Sequence, residues 1–427
     1  MNDDKSNSIS PSKYVFWLRL ILTVKIFGFA AISQSAAVNK AIKIGLGTSM
    51  TIAVLFVTVN MLKKGYKFET EIKNSLSLWL YVFYLFLGTM SIFWANDYFF
   101  AIIQVFRDFD LLVFSFLFLR VMQTINGHHP DQDVQIQSML SYAITFNTLY
   151  FLIGYFIDPD TFMRLTHGGD VARLGGYIMN PNELGMLSSL GISVLILDFT
   201  NTKNKWLYTL FLVINLYVIF LTGSRSSSIG FMIVCGLLIL RSNNMKLKAL
   251  MIAGFMLIAP IAINEVILDE EKGGLDEVMS MTGRLPFWKA LLTEALPKEP
   301  LLGYGFQNIY YTKFFQGKNT YPASMTHNTF VQVVMNLGLV GFTIVIAQMA
   351  MVIRGVRRDY NKEKSFYFWC MFMPMFINSL TEFGIWGETN YGILFYQLLF
   401  LWFVVKVKPN HSFTKNDSVK QLKNQHQ

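Results

Sequence analysis

Residues 327–358 read HNTFVQVVMNLGLVGFTIVIAQMAMVIRGVRR. From His327 to Ile353 there is no Asp, Glu, Lys or Arg, a run longer than the about 20 apolar residues a helix needs to cross a bilayer. Arg354, Arg357 and Arg358 close the run at one end. His327 and Asn328 open it at the other, directly after the longest polar loop of the chain. The stretch reads as a membrane span with a histidine at its water-facing mouth. Imidazole ordinarily titrates at about 6.5, so it can do proton chemistry on a substrate embedded in lipid.

The rest of the chain repeats the apolar pattern. Of its 427 residues, 53% are hydrophobic and 15% aromatic, only 15% are charged, and the mean hydropathy is +0.40. Soluble domains carry about 25% charged residues, so lipid is the solvent this composition suits. Apolar stretches at 15–34, 41–62, 76–94, 98–119, 138–157, 184–200, 206–222, 227–241, 246–264, 327–353, 365–382 and 387–405 predict about twelve spans. The expected fold class is an all-α polytopic membrane protein. Its expected parts are a tail at 1–14, spans one to nine over 15–264, a loop at 265–326, spans ten to twelve over 327–405, and a tail at 406–427. Cys235 and Cys370 fall inside apolar stretches without metal-ligand spacing and read as small buried hydrophobes. The polar first dozen residues lack a cleavage pattern, so the first span is expected to be an uncleaved anchor.

Net charge +9 could suggest nucleic acid, but its placement argues topology instead. Lys63, Lys64, Lys67, Lys73, Arg120, Lys203, Lys205, Arg241, Arg354, Arg357 and Arg358 all fall on the side that holds both termini. By the positive-inside rule that side is cytoplasmic. The expectation is a multi-pass plasma-membrane protein with both ends inside, working on its extracytoplasmic face, with no nucleic-acid partner. The outer side carries the unusual loops: 158–183, the TGSRSS turn at 222–227, 265–326, and a last loop with Glu382 and Glu388.

Three of these loops hold candidate chemistry. Arg225 begins a helix after small hydroxyl residues, where free N–H groups and the helix dipole already favour an anion such as pyrophosphate. Its ordinary reading is an interfacial arginine snorkelling to headgroups. Arg284 heads a stretch with apolar residues at 285, 288, 291, 292 and 296, predicting an amphipathic helix over 284–296 with Pro286 in its first turn. Leu301-Leu-Gly-Tyr-Gly305 then predicts a tight turn. His327 follows Ser324-Met-Thr326, a cap pattern, and its ordinary reading is a hydrogen-bonded structural residue. His167 ranks below it in a Gly-rich loop, and His128 and His129 read as a solvated cytoplasmic turn.

The Asp-x-Asp triplets at Asp108/Asp110, Asp131/Asp133 and Asp158/Asp160 are weak signals for a metal-held diphosphate. No metal is assigned to them. Asp108 and Asp110 sit beside Arg107 inside a span, where internal ion pairing is the default and a transport pathway the alternative.

His327-Asn328-x9-Gly338-x-x-Gly341, Gly223-Ser-Arg225-Ser, and Arg284 through Trp288 to Pro300-Leu-Leu-Gly-Tyr-Gly305 occur in order on the outer side. So does Arg173-Leu-Gly-Gly-Tyr-x-x-Asn180-Pro-Asn182-Glu-Leu-Gly185. Together they resemble the O-antigen ligase and polymerase family of membrane glycosyltransferases, over most of the chain. The resemblance implies a GT-C-like fold and a polyprenyl-pyrophosphate-linked oligosaccharide donor on the outer leaflet. The sugar chain passes to a glycan acceptor without cofactor or metal and with inversion. In these roles Arg225 and Arg284 would grip the pyrophosphate, and His327 would deprotonate or orient the acceptor hydroxyl. Arg173, Arg164 and Asn328 are further candidate contacts to donor or sugar. Glu382 and Glu388 are alternatives for supporting a sugar or an arginine. A flippase and a chain-length regulator are the protein partners such an enzyme implies.

The favoured reading is a polymerase of surface-polysaccharide repeat units, because no added outer domain offers a protein acceptor site. The alternative is a ligase that moves the finished glycan to a lipid A core or another carrier. Outside this class stands a polysaccharide or lipid-linked sugar transporter, which would place its charges at mid-membrane.

Overall fold

In the computed structural model the chain is described for residues 11–33, 35–129, 134–166, 171–242, 284–306, 326–382 and 384–407, with isolated positions between 245 and 256. Its helices in chain order are α1 (Pro11–Phe27), α2 (Ala36–Lys63), α3 (Ser75–Met90), α4 (Tyr98–His128), α5 (Ile136–Ile157), the single turn α6 (Pro159–Phe162), α7 (Pro181–Asp198), α8 (Lys205–Thr222) and α9 (Arg225–Arg241). After these come α10 (Arg284–Ala290), α11 (Thr329–Arg358), α12 (Lys362–Ser379) and α13 (Tyr391–Val404). Every expected span except the ninth coincides with one of these helices. The ninth, 246–264, lies largely outside the described residues, as do His167 and the Asp131/Asp133 pair. Five segments, Ala37–Lys63, Ser75–Phe93, Ile136–Ile157, Lys205–Thr222 and Thr329–Arg358, are long and apolar enough to cross a membrane. With this mostly helical, apolar build, the chain is a helical membrane protein.

Two helices are buried along almost their whole length. α7 packs against α5, α8, α9 and α12, and α13 packs against α4. The sequence permits the first of these packings through small residues. A Cβ at Gly185 would come within 2.6 Å of Ser227 Oγ, so α7 and α9 meet only because position 185 has none. Around α13, Tyr81, Tyr84, Trp386, Tyr396 and Phe400 form an aromatic core with ring centroids 4.7–5.6 Å apart in the close pairs, within the preferred range for edge and offset contacts.

Two short antiparallel pairings tie the ends of the bundle. β1 (Thr70–Ile72) joins β4 (Val405–Val407). β2 (Met163–Thr166) joins β3 (Val171–Leu174) in a register that sets Arg164 opposite Arg173.

The run that opened the sequence forms one helix with a break. Within α11, Gly338 has φ +63° and ψ −163°, outside the range open to other residues. The turn of Leu301–Gly305 docks into the break. Leu339 N donates to Pro300 O (2.9 Å) and Val340 N to Leu301 O (3.2 Å), while Tyr304 N donates to Met335 O (2.9 Å) and Gly305 N to Asn336 O (2.8 Å). The backbone groups freed by the break are thus paired by the loop, as an apolar environment demands. Contact is tight on both sides: a Cβ on Gly338 would sit 2.2 Å from Leu301 O, and one on Gly303 would sit 2.6 Å from Gly338 N. The expected turn at 301–305 therefore serves as a lock between the loop and the histidine-bearing helix.

Candidate functional site

The site forms where α7, α9, α10, α11 and the turn after α12 meet. Each candidate side chain is placed by a local device. Ser224 caps α9 by accepting from Ser227 N, which puts Arg225 at the first helical position. Asn180 caps α7 by accepting from Asn182 N, with Pro181 next. Arg284 begins α10, whose winding continues through a π-helical turn at Leu291–Ala295, close to the expected 284–296. Phe287, Leu291 and Ala295 pack this segment onto Met335 of α11. Trp288 Nε1 donates to Thr326 O at 2.7 Å, pinning the loop helix beside His327.

The cap of α11 differs from expectation. Ser324 lies outside the described residues, and Asn328 caps the helix, its Oδ1 accepting from Phe330 N and Val331 N at 2.9 and 3.0 Å. Its Nδ2 donates to Leu380 O at 3.0 Å, holding the turn after α12 in place. His327, just before the cap, has φ +53°, an uncommon conformation for a residue with a side chain. Thr326 Oγ1, donating to Asn328 O at 2.8 Å, brackets it from the other side.

Glu382 is the hub of the site. Its Oε1 accepts from Arg284 Nη2 at 2.7 Å and from Asn182 Nδ2 at 2.6 Å, and its Oε2 accepts from His327 Nδ1 at 2.8 Å. Arg284 also donates to Thr381 O. Asn182 in turn accepts from Arg173 Nη2 at 2.6 Å, and Arg173 Nε donates to Thr222 O at 2.6 Å, beside the turn that leads to Arg225. The Glu382 side chain is 2% exposed, whereas Arg284 and His327 keep 19% and 17%, so the hub is sealed and the two functional groups reach the surface.

The electrostatics follow from this geometry. Burial alone would raise the Glu382 pKa. The charge and hydrogen bond of His327, then Arg284 and Asn182, outweigh it and pull the carboxyl down to about 2. Arg173 is lowered to about 10, first by burial, with Glu382 opposing and the like charges of Arg225, Arg284 and Arg164 adding to the fall. Four arginines therefore share one neighbourhood. With Nδ1–H donated to Glu382, Nε2 is the His327 nitrogen left to meet a substrate.

The structure brings His327, Arg284 and Glu382 together directly and joins Arg173 to them through Asn182, with Arg225 and Arg164 within their field and Asn328 holding the frame. Arg164 is exposed on the hairpin. Glu388 belongs elsewhere, near Arg107, Lys43 and Lys40, so of the two carboxylates only Glu382 serves this group. Asn182 was quoted in the sequence only as part of a motif. Its hydrogen bond to Glu382 spans 200 positions and has no local signal beyond the Asn-Pro-Asn cap.

The Arg107 group departs from expectation. Asp110 pairs with Lys25 at 2.5 Å, and Asp108 accepts from Thr389 Oγ1 at 2.7 Å. Among the described residues Arg107 forms no ion pair within 4 Å. Three residues in a row of four point to different helix faces, so chain neighbours need not meet.

Residues 210–346 match the family model described as O-antigen ligase. This stretch holds Arg225, Arg284, His327 and Asn328, whereas Arg173, Asn182 and Glu382 lie outside it. No curated protein matches the chain.

Proposed function

We propose that this chain, whose residues 210–346 match the O-antigen ligase family model, is a membrane glycosyltransferase that polymerises surface-polysaccharide repeat units. Its donor is a polyprenyl-pyrophosphate-linked oligosaccharide on the extracytoplasmic face of the plasma membrane. The observation that carries this reading is the Arg284–Glu382–His327 group, with an arginine neighbourhood beside it and a His327 Nε2 that has no hydrogen-bond partner among the described residues. The twelve-span topology with both termini inside, and the division into bundle, outer loop and tails, belong to the same reading.

The chemistry is a single displacement. His327 Nε2 takes the proton from the acceptor hydroxyl, whose oxygen attacks the anomeric carbon of the donor from the face opposite the leaving group. The bond from that carbon to pyrophosphate breaks, and the lipid pyrophosphate departs with the electron pair, so the configuration inverts. Arg225 and Arg284 stabilise the charge on the leaving group, which is where positioned cations contribute most. Glu382 positions His327 and balances the imidazolium formed by proton transfer, while Arg173 and Arg164 extend the cationic surface. Neutralised pyrophosphate leaves readily, so a base of ordinary strength suffices and no metal is required.

A ligase differs only in its acceptor, and the family match supports both. Purified protein in lipid, given the polyprenyl-pyrophosphate repeat unit alone, should yield a ladder spaced by one repeat. Transfer only after a separate glycolipid acceptor is added would make it a ligase. Failure of both with folded protein would favour transport.

A further inference from the structure

Three buried glutamines join separate elements of the bundle. Gln348 Oε1 on α11 accepts from Tyr396 Oη on α13 at 2.5 Å, and Gln397 Nε2 on α13 donates to Tyr81 Oη on α3 at 2.8 Å. Gln104 Oε1 on α4 accepts from Thr389 Oγ1, just before α13, at 2.7 Å. Such contacts are the polar glue expected where helices pack in lipid. Gln332, equally buried, makes no hydrogen bond to a second helix among the described residues. Its Oε1 accepts from Thr326 N at 3.3 Å and shares the Thr326 Oγ1 hydrogen with Asn328 O, at 3.1 and 2.8 Å. Its Nε2 donates to Asn336 Oδ1 at 3.0 Å. These partners belong to α11 or to the segment that leads into it, so Gln332 holds the mouth of its own helix.

Thr326 immediately precedes His327, and it is held from two sides. Gln332 takes the N–H of the peptide that enters Thr326, and Trp288 Nε1 donates at 2.7 Å to the Thr326 carbonyl, part of the peptide shared with His327. Fixing both peptides sets the direction from which the chain enters His327. The φ of +53° there is held against the ordinary preference of a residue with a side chain. That conformation delivers Nδ1 to Glu382 at 2.8 Å. Each hold also reaches the outer loop. Trp288 stands one turn beyond Arg284 in α10. Asn336, which anchors Gln332, accepts from Gly305 N at its backbone oxygen (2.8 Å), where the 301–305 turn docks.

We propose that Gln332 and Trp288 are positioning residues for the transfer, which hold Thr326 so that His327 keeps Nδ1 on Glu382 and aims Nε2 at the acceptor hydroxyl. The inference rests on the proposed role of His327 as the base. Trp288 shares a helix with Arg284, and Gln332 is tied through Asn336 to the turn docked at Gly338. The outer loop therefore sets the base and the pyrophosphate-binding cation in one frame. A base works only within hydrogen-bond reach of the proton it takes, and a displacement of about 1 Å can cost about 10²-fold in rate.

The test is single-turnover transfer by the full-length protein in lipid nanodiscs, with the polyprenyl-pyrophosphate repeat unit extracted from the native cells as substrate. Gln332→Met keeps the length of the side chain and removes its hydrogen bonds. It should slow transfer by about 10–10²-fold. Affinity for inorganic pyrophosphate should stay at the wild-type value, because Phe287, Leu291 and Ala295 still pack the Arg284 helix onto Met335. The deciding readout is the combination with His327→Ala. Without the imidazole there is nothing left to position, so adding Gln332→Met should slow that variant by less than about two-fold. Trp288→Phe keeps a ring and loses the N–H donor; it should show the same dependence on His327, and it carries the test if Gln332→Met does not fold. A wild-type rate from either folded variant, weakened pyrophosphate binding in Gln332→Met, or an equal fold-loss with and without His327 overturns this inference and leaves the proposed function standing. A wild-type rate from His327→Ala counts against the proposed function itself and removes this inference with it.

Discussion

Two groups of charge lie near each other in this bundle and are built on opposite principles. Around Glu382, residues from far-separated parts of the chain converge on one sealed carboxylate, which fixes the partly exposed Arg284 and His327 and, through Asn182, ties in Arg173. Around Arg107, residues adjacent in sequence are divided among different partners: Asp110 goes to Lys25, Asp108 to Thr389, and Arg107 to no carboxylate within 4 Å among the described residues. The first group buries its acid while its cation and imidazole stay partly exposed, the arrangement the proposed chemistry needs. The second keeps its cations facing a pocket. Partnership in a membrane bundle is set by which helix faces meet, not by proximity along the chain.

The sharpest way to break this comparison is His327→Ala, which should cost about 10²–10⁴-fold in transfer rate, the range for a lost general base. Arg284→Ala should follow with about 10²–10³-fold, as for a lost transition-state donor, measured as single-turnover release of polyprenyl pyrophosphate. Glu382→Gln should reduce the rate by less than His327→Ala, because the amide still accepts one hydrogen bond while the charge is gone. Its effect on stability has a definite sign. The Glu382 pKa is depressed from 4.5 to about 2 on folding, so its contribution is present above about pH 4.5 and is lost as pH falls toward 2. Melting temperatures across that window should drop less steeply in Glu382→Gln than in the wild type.

Gly338→Ala sharpens the comparison from the structural side. It forces a positive φ on a side chain and a 2.2 Å contact with Leu301 O, which should cost about 1–3 kcal/mol in stability and loosen Arg284 relative to His327. The smallest effect is expected from Arg164→Ala, which removes an exposed charge at the edge of the arginine neighbourhood. It should raise the apparent KM for donor a few-fold at low salt and less at high salt.

Much of this was legible in the sequence, for physical reasons. Apolar run length located the helices, since bilayer thickness fixes what a span must be. Arg225, Arg284 and His327 could be placed at helix starts, Arg225 by the hydroxyl residues before it, Arg284 by the apolar stripe that follows it and His327 by the apolar run it opens. Glu382 could not be told from Glu388, because their roles depend on which way a turn of glycine and bends faces after α12. The pairing of Lys25 with Asp110 was invisible for the same reason: it joins positions 85 apart on two helices. The spacing between His327 and Gly338 acquires its meaning only once the loop at 301–305 is seen docked in the helix break.

The central claim is that His327, held by Glu382, serves glycosyl transfer from a lipid pyrophosphate beside Arg284. The most direct test is single-turnover transfer by purified wild-type, His327→Ala and Glu382→Gln proteins in nanodiscs, each verified as folded and each given the same lipid-linked repeat unit. The account predicts product from the wild type, a reduced rate from Glu382→Gln, and a loss of at least about 10²-fold from His327→Ala. Wild-type rates from folded His327→Ala protein would contradict it.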